Sequence, residues 1–362
     1  MKNPFQGSWS PDRIRKYIGS YQSSYFAYAS DPAVREKAAS GGVISAILIE
    51  LLADEKIDGA LLCRSEVVDG AVQPFFYIAH DEETVLLSQG SKYIAVNFNR
   101  DALPLIRDFQ GRLAVVALPC DITKLQAVCE QDGHLAEKIA LMISLFCGHN
   151  SLPELTQLVV EKMHPPASKL THFRYRQGHW RGDLLAEFDN GQVISKPFSV
   201  FSNYQNLFFF CQQKCHHCHD HCGYHSDISM GDIWSRSMKK NPIKHSAAII
   251  RSERGEEVFK KALETGILTG REVDISAVCQ GQSRSMPFHY NLSARALAGK
   301  RLGFKIKDTL NETVRWNDWL AARMVLWNEK ISRYSCGKRF IRRTPQFILR
   351  LYLLVLKGLQ SF

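Results

Sequence analysis

Residues 211–234 read CQQKCHHCHDHCGYHSDISMGDIW and bring four cysteines and five histidines into one short span. Cys215 and Cys218 form a Cys-x-x-Cys pair, which lets two thiolates reach one metal centre from a single turn of backbone. Cys211 and Cys222 flank that pair. A structural zinc could take all its ligands from this loop, with His216, His217, His219, His221 and His225 interleaved as further donors. An iron–sulfur cube makes a different demand: one thiolate per iron, arriving from different directions. Cys215 and Cys218 then need two partners from elsewhere in the chain. Cys120 and Cys147 are the candidates, with Cys211 and Cys222 as alternatives. A third use, Cys120 as a nucleophile, lacks an identifiable partner histidine.

The elements that carry these cysteines set where they meet. Residues 113–118 (LAVVAL) are an apolar run ending at Pro119-Cys120, and residues 139–146 (IALMISLF) are another ending at Cys147-Gly148. Runs this apolar suit strands buried on both faces, and each is followed by a helical pattern, so a parallel α/β sheet is expected. Asp121 is placed to cap a helix through Cys129. Ser151-x-x-Glu154 reads as a capping box opening a helix to about Met163. Both Cys120 and Cys147 fall just past the C-terminal ends of parallel strands, the edge at which open α/β sheets bind ligands. Cys129 shares an apolar helix face with Ile122, Leu125 and Val128 and is expected in the core, as small buried cysteines usually are. Cys63, Cys279 and Cys336 are expected to be structural.

Upstream, residues 1–24 read as an irregular entry and Tyr25 to Tyr28 as a short aromatic strand. Ser40-Gly41-Gly42 then precedes Val43, Ile44, Ile47, Leu48, Leu51 and Leu52, which recur at helical spacing, with Ser40 as N-cap. Glycines at a helix start leave backbone N–H groups uncovered, a setting for an anionic phosphate; an ordinary capped helix explains the same residues. Residues 57–63 read as a buried strand. Gly90-Ser91-Lys92-Tyr93 offers a clasp for a second anionic group. From His172 the pattern turns to period two, with strands at 173–176, 184–188 and 193–195 and an Asn190-Gly191 turn: an antiparallel hairpin addition. A strand at 247–251, a helix at 255–265 and a last strand ending near Val273 follow.

The chain has 362 residues, is 45% hydrophobic and carries a formal charge of +10. From Lys330 onward there are Lys and Arg residues but no Asp or Glu. The body is nearly neutral, so no nucleic-acid groove is expected across it. No apolar run is long enough to cross a bilayer, and the N-terminus lacks the apolar core of a secretory signal. Ten cysteines without an export signal point to reduced thiols and metal ligation in the cytoplasm. Residues 346–359 are strongly apolar, with Arg339, Arg342, Arg343 and Arg350 close by. That pattern suits an interfacial helix on the inner face of the membrane, or one docked on the body or on a partner subunit.

One ordered set of motifs carries a resemblance. Ser40-Gly41-Gly42, Gly90-Ser91-Lys92-Tyr93, Leu118-Pro119-Cys120-Asp121, Phe146-Cys147-Gly148, Phe173-Arg174-Tyr175-Arg176, Cys215-His216-His217-Cys218 and Asp227 to Trp234 (DISMGDIW) resemble the coenzyme F420-reducing hydrogenase/dehydrogenase beta-subunit family. The resemblance covers residues 25–275. It implies a flavoprotein with FAD and a [4Fe–4S] cluster, relaying electrons between a protein donor, ferredoxin-like or a partner subunit, and a small redox substrate. It implies Cys120, Cys147, Cys215 and Cys218 as cluster ligands, and Ser40, Gly41, Gly42, Gly90, Ser91, Lys92 and Tyr93 near the flavin. Asp232 is expected to order the flavin pocket or to cap a helix. Family members include F420 reductases, a plant chlorophyll-derivative reductase and bacterial proteins linked to surface-polysaccharide loci. This chain has no cysteine before Cys63, which excludes a second, ferredoxin-like cluster from that region.

The expected architecture is therefore α/β. A mostly parallel sheet flanked by helices, an antiparallel hairpin addition and a Cys-rich loop occupy residues 25–275, and a helical basic extension occupies 276–362. The expected function is a flavin- and [4Fe–4S]-dependent oxidoreductase. The rival is a non-catalytic zinc- or cluster-stapled scaffold in a membrane-associated biosynthetic complex.

Overall fold

A computed structural model describes residues 10–163 and 167–360. Its strands are β1 (Ser23–Ala29), β2 (Gly59–Val68), β3 (Ala71–Ala79), β4 (Leu113–Ala117), β5 (Ile139–Leu145), β6 (Leu170–Gln177), β7 (Asp183–Phe188), β8 (Val193–Pro197), β9 (Ile228–Asp232), β10 (Ser246–Ile250) and β11 (Leu268–Glu272). Eight of them form one sheet in the order β11-β1-β10-β9-β5-β4-β2-β3, and β6-β7-β8 form a second, antiparallel sheet. The centre of the large sheet is parallel: β2 pairs with β4, β4 with β5, and β5 with β9. Antiparallel pairings extend it at both edges. Followed across the sheet, β1, β2, β4, β5 and β9 run one way and β3, β10 and β11 the other. The α/β class is as expected, with the hairpin addition and the C-terminal helices in their places.

The apolar runs behave as strands covered on both faces. Along β4, Ala114 and Val116 enter one core and Leu113, Val115 and Ala117 the other. The first core lies under the helices Val43–Ala53 and Glu253–Glu264, the second under Leu103–Asp108 and Pro119–Cys129. Each fully buried Val or Leu of this kind stabilises the fold by about 1.5–3 kcal/mol. Cys129 sits at the margin of the second core, where its helix face directs it.

Several local expectations need correction. The entry segment holds a helix, Pro11–Ile18, because Ile14, Tyr17 and Ile18 make an apolar face that packs beside β1 and β10. Ser40 is not the N-cap of its helix. Gly42 is, at φ 75°, a left-handed conformation suited to glycine. The Ser151 capping box does not form: the helix begins with Pro153, and the buried Ser151 hydroxyl has no partner among the described groups. Two strands escaped the sequence reading. Pro74 interrupts the β3 pattern, yet β3 is an edge strand, where a missing N–H is tolerated. β9 is short and hidden within the motif that follows the cysteine loop.

Candidate metal centre

Four thiols from three separate segments lie within electrostatic reach of one another at the C-terminal edge of the parallel strands. Cys120 is carried on the first turn of the helix Pro119–Cys129, just beyond β4. Cys147 follows the adjacent strand β5, and its N–H donates to the His221 carbonyl at 3.0 Å. Cys215 lies in the 3-10 turn Gln213–His217, and Cys218 closes that turn with its N–H on the Cys215 carbonyl at 3.2 Å.

The electrostatics register their meeting. Burial pushes the Cys147 thiol well up, and the next contributions come from Cys215, Cys120 and Cys218. Burial, then Asp220 and Cys215, push Cys218 up to about 12. Cys120 is pushed up to about 12 by burial and by Asp121, with Lys214 opposing. Bare thiols here hold their protons, and a metal that replaces those protons relieves the cost of burying thiolate. Cys215 is the exception. It accepts hydrogen bonds from the Cys211 thiol and from the Asn150 N–H, the latter at 3.4 Å, and its pKa is lowered.

Among the described residues, no three His, Cys, Asp or Glu side chains close around a single ion. A tetrahedral zinc site would need its sulfurs about 3.8 Å apart, given Zn–S bonds of about 2.3 Å. The local zinc knot therefore finds no built site here. A cube spreads its thiolates over four irons, and the cysteines of these three segments could supply one thiolate for each. Cys211 stands beside Cys215. Cys222 does not join the group: it is buried among Tyr17, Ile18 and Cys279, in a different core.

Residues that the sequence reading passed over shape this loop. The Asp220 carboxylate accepts from the N–H groups of Cys222, Gly223 and Tyr224 at 3.0, 2.6 and 3.1 Å, a turn signal that was present between the cysteines. Lys214 approaches the buried Asp121 at 3.4 Å. Arg295, from the helix Leu292–Leu302, donates to the carbonyls of His216 at 3.0 Å, Cys218 at 2.7 Å and Phe288. No local pattern announces Arg295, because its two partners in the cysteine turn, His216 and Cys218, lie more than seventy residues away.

The other motifs gather at a neighbouring cleft. Arg176 of β6 pairs with Asp232 of β9 at 2.8 Å, reaches Ser91 Oγ at 3.4 Å and stacks over Trp234 at 4.7 Å. Ser40 Oγ and the Gly41 N–H both engage Ser246 Oγ, at 2.7 and 3.0 Å. A Cβ on Gly41 would lie 2.7 Å from the Ala27 carbonyl, so close packing on β1 requires glycine there. The Lys92 ammonium is held by the carbonyls of Ser88, Gln89 and Gly90, and burial lowers its pKa to about 8. Gly90, at φ 90°, makes the turn beneath it, and Tyr93 packs its ring on Phe198, Phe201 and Tyr175. Four separated motifs thus meet, but their donors are committed to one another. The space among Ser40, Arg176, Trp180, Asp232, Trp234 and Lys244 is about 20 Å³, room for about one water. As folded, this space does not fit a flavin ring, and the polar groups of Ser40, Gly41 and Lys92 are taken by Ser246 and by the carbonyls of Lys92's own loop.

Cleft and thiols are joined through Gln282. Its side chain meets His221 Nε2 at 3.1 Å and donates to the Asp232 carbonyl, while His221 Nδ1 meets the Cys147 carbonyl at 3.0 Å. A larger open cavity of about 570 Å³, lined in part by Arg100, Lys124, Gln212 and Lys214, adjoins the cysteine loop on another side. That volume falls within the range of small-molecule sites.

Comparison with known proteins adds the following. The family model described as coenzyme F420 hydrogenase/dehydrogenase, beta subunit N-term, matches residues 24–100, and the corresponding C-terminus model matches residues 110–275. An uncharacterised protein of Methanocaldococcus jannaschii is 30% identical over 253 residues, 67% of this chain and 64% of that protein, so the match spans less than two thirds of the relative. The coenzyme F420 hydrogenase subunit beta of Methanococcus voltae is 26% identical over 71% of this chain and 86% of its own length. A chain of the F420-reducing [NiFe] hydrogenase complex from Methanosarcina barkeri superposes with a TM-score of 0.57 at 19% identity, covering 87% of this chain and 98% of that one, a likeness of fold.

Proposed function

Since the chain belongs to the coenzyme F420 hydrogenase/dehydrogenase beta-subunit family, we propose that it is an oxidoreductase electron-transfer protein whose redox group is a [4Fe–4S] cluster held by Cys120, Cys147, Cys215 and Cys218. One observation supports this reading: thiols from three distant segments lie within electrostatic reach of one another beside the ligand edge of the sheet. The cluster, when bound, supplies one-electron chemistry. The chain's own residues supply the enclosure. Asp220 fixes the loop after Cys218, His221 orients the Cys147 backbone, and Lys214 reaches both Asp121 and the Cys120 thiol.

The redox partners follow from surfaces near that site. The cavity bordered by Gln212 and Lys214 is sized for a small redox substrate; its Arg100 pairs with Asp101 and its Lys214 with Asp121, so Lys124 is the lining cation that favours an anionic one. Relatives named as hydrogenase subunits favour a protein electron donor. FAD is a further part of the proposal and requires the small cleft to open, with Ser40 and Gly41 released from Ser246.

Iron, acid-labile sulfide, zinc and flavin analysis of anaerobically purified protein tests these assignments. About four irons per chain and a brown absorption support the cluster; flavin at one per chain supports FAD. A colourless protein carrying one zinc overturns both.

A second reading concerns location. Among the described residues no helix is long and apolar enough to cross a membrane. The helix Gln346–Leu359 docks through Leu349 and Leu356, yet exposes Phe347, Leu351, Leu354 and Val355, at 64%, 60%, 68% and 57%. Arg339, Arg343 and Arg350 are exposed nearby and join none of the described ion pairs. We infer that this face rests on an anionic lipid surface.

A further inference from the structure

Arg295 is among the largest fully buried side chains of the described residues, with 1% of its surface exposed. Its guanidinium donates to three backbone carbonyls, those of His216, Cys218 and Phe288, and lies 4.0 Å over the Phe288 ring. Carbonyl oxygens satisfy its hydrogen bonds but do not neutralise its charge. Among the described ion pairs none includes Arg295. A fully buried, uncompensated cation is costly, and native folds pair such charges.

The anionic groups within its electrostatic reach are thiols: Cys218, Cys211 and Cys215. Once Cys215 and Cys218 ligate iron as thiolates, an anionic assembly sits beside the guanidinium. Arg295 also grips the two ends of the Cys-x-x-Cys turn, at His216 and Cys218, so its position is tied to the backbone that carries the ligands.

We propose that Arg295 is the buried counter-charge of the cysteine-held cluster, a positioning residue that stabilises the reduced form and sets its reduction potential upward. This rests on the cluster assignment above. Arg295 lies beyond residue 275, outside the segment matched by the family models. The C-terminal region is therefore part of the redox site rather than an appendage. The physical basis is that net charge and hydrogen bonding around a cluster are the protein's levers on its potential, and removal of a nearby positive charge favours the less negative, oxidised form.

The test is potentiometric titration, followed by electron paramagnetic resonance, of wild-type, Arg295→Gln and Arg295→Lys proteins purified anaerobically, with iron content and circular dichroism measured on each. The expected result is a lowered midpoint potential in Arg295→Gln at unchanged iron, and a potential close to wild type in Arg295→Lys. Loss of iron from a folded Arg295→Gln, with retention in Arg295→Lys, also supports the role. An unchanged potential in a folded, iron-replete Arg295→Gln overturns it, as do equal shifts in both variants. Should Arg295→Gln not fold, Arg295→Lys decides: near-wild-type iron and potential support the role, and loss of iron or a lowered potential overturns it. A wild-type protein without iron overturns the cluster assignment and this inference with it, which distinguishes the two failures.

Discussion

Arg176 and Asp232 meet at 2.8 Å across two different sheets, with 4% of the arginine side chain and 23% of the aspartate exposed. The pair ties the hairpin addition to the end of β9, and burial alone would otherwise oppose the arginine's charge. Asp232→Ala leaves that guanidinium enclosed without its partner. The expected loss is about 3 kcal/mol of stability, the low end for breaking a buried pair because the carboxylate keeps some solvent contact. Chemical denaturation measures it, and a change below about 0.5 kcal/mol would show the pair to be dispensable.

The cysteines sort into two groups. Cys120→Ala or Cys147→Ala is expected to lower iron from about four per chain by at least half. Cys222→Ala is expected to leave iron unchanged, since that thiol is packed with Cys279 in a separate core. Colorimetric iron and sulfide determination on matched anaerobic preparations separates these outcomes. Full retention in Cys120→Ala combined with loss in Cys211→Ala would move the fourth ligand to Cys211.

Lys92 gives a pH signature. Its folded pKa is lowered from 10.5 to about 8 by burial. Below pH 8 the fold carries the cost of enclosing that charge. Between pH 8 and 10.5 the folded protein releases the proton while the unfolded chain retains it, so the cost is progressively lifted. Wild type should therefore gain stability relative to Lys92→Met as pH rises through this window. Melting temperatures of the two proteins, taken side by side from pH 7 to 10.5, would contradict this if their difference stays flat.

The exposed C-terminal face is testable with lipid. Wild-type protein is expected to sediment with phosphatidylglycerol vesicles, and weakly with phosphatidylcholine. Neutralising Arg339, Arg343 and Arg350 together should weaken the anionic binding by roughly 3 kcal/mol, or about a hundredfold at low salt. Leu351→Glu with Leu354→Glu should remove binding to both. No difference between the two lipids would reject the electrostatic part. A protein dimer that the leucine variants dissociate would assign the face to subunit contact instead.

What could be seen in advance followed the range of the interactions. Strands β4 and β5 were legible because unbroken apolar runs have one solution in a sheet covered on both faces, and their order placed Cys120 and Cys147 on one rim. The Asn190-Gly191 hairpin was legible because its turn chemistry is local. Features set by distant partners were not. Ser40 looked like a cap, but Ser246 of β10 takes its hydroxyl. Lys92 looked free to bind an anion, yet it turns back on its own loop. Arg295 became visible only once a helix from the C-terminal region had been laid against the cysteine turn.

The position of β1 in the sheet bears on how the protein is made. This strand is near the start of the chain, but both its neighbours, β10 and β11, come from beyond residue 245. During translation β1 leaves the ribosome with two bare edges and waits until those later segments emerge. Pairings of such long sequence separation form slowly, and unpaired edges invite association with other nascent chains. Chaperone supply and translation rate should therefore govern the yield of soluble protein more than its final stability does.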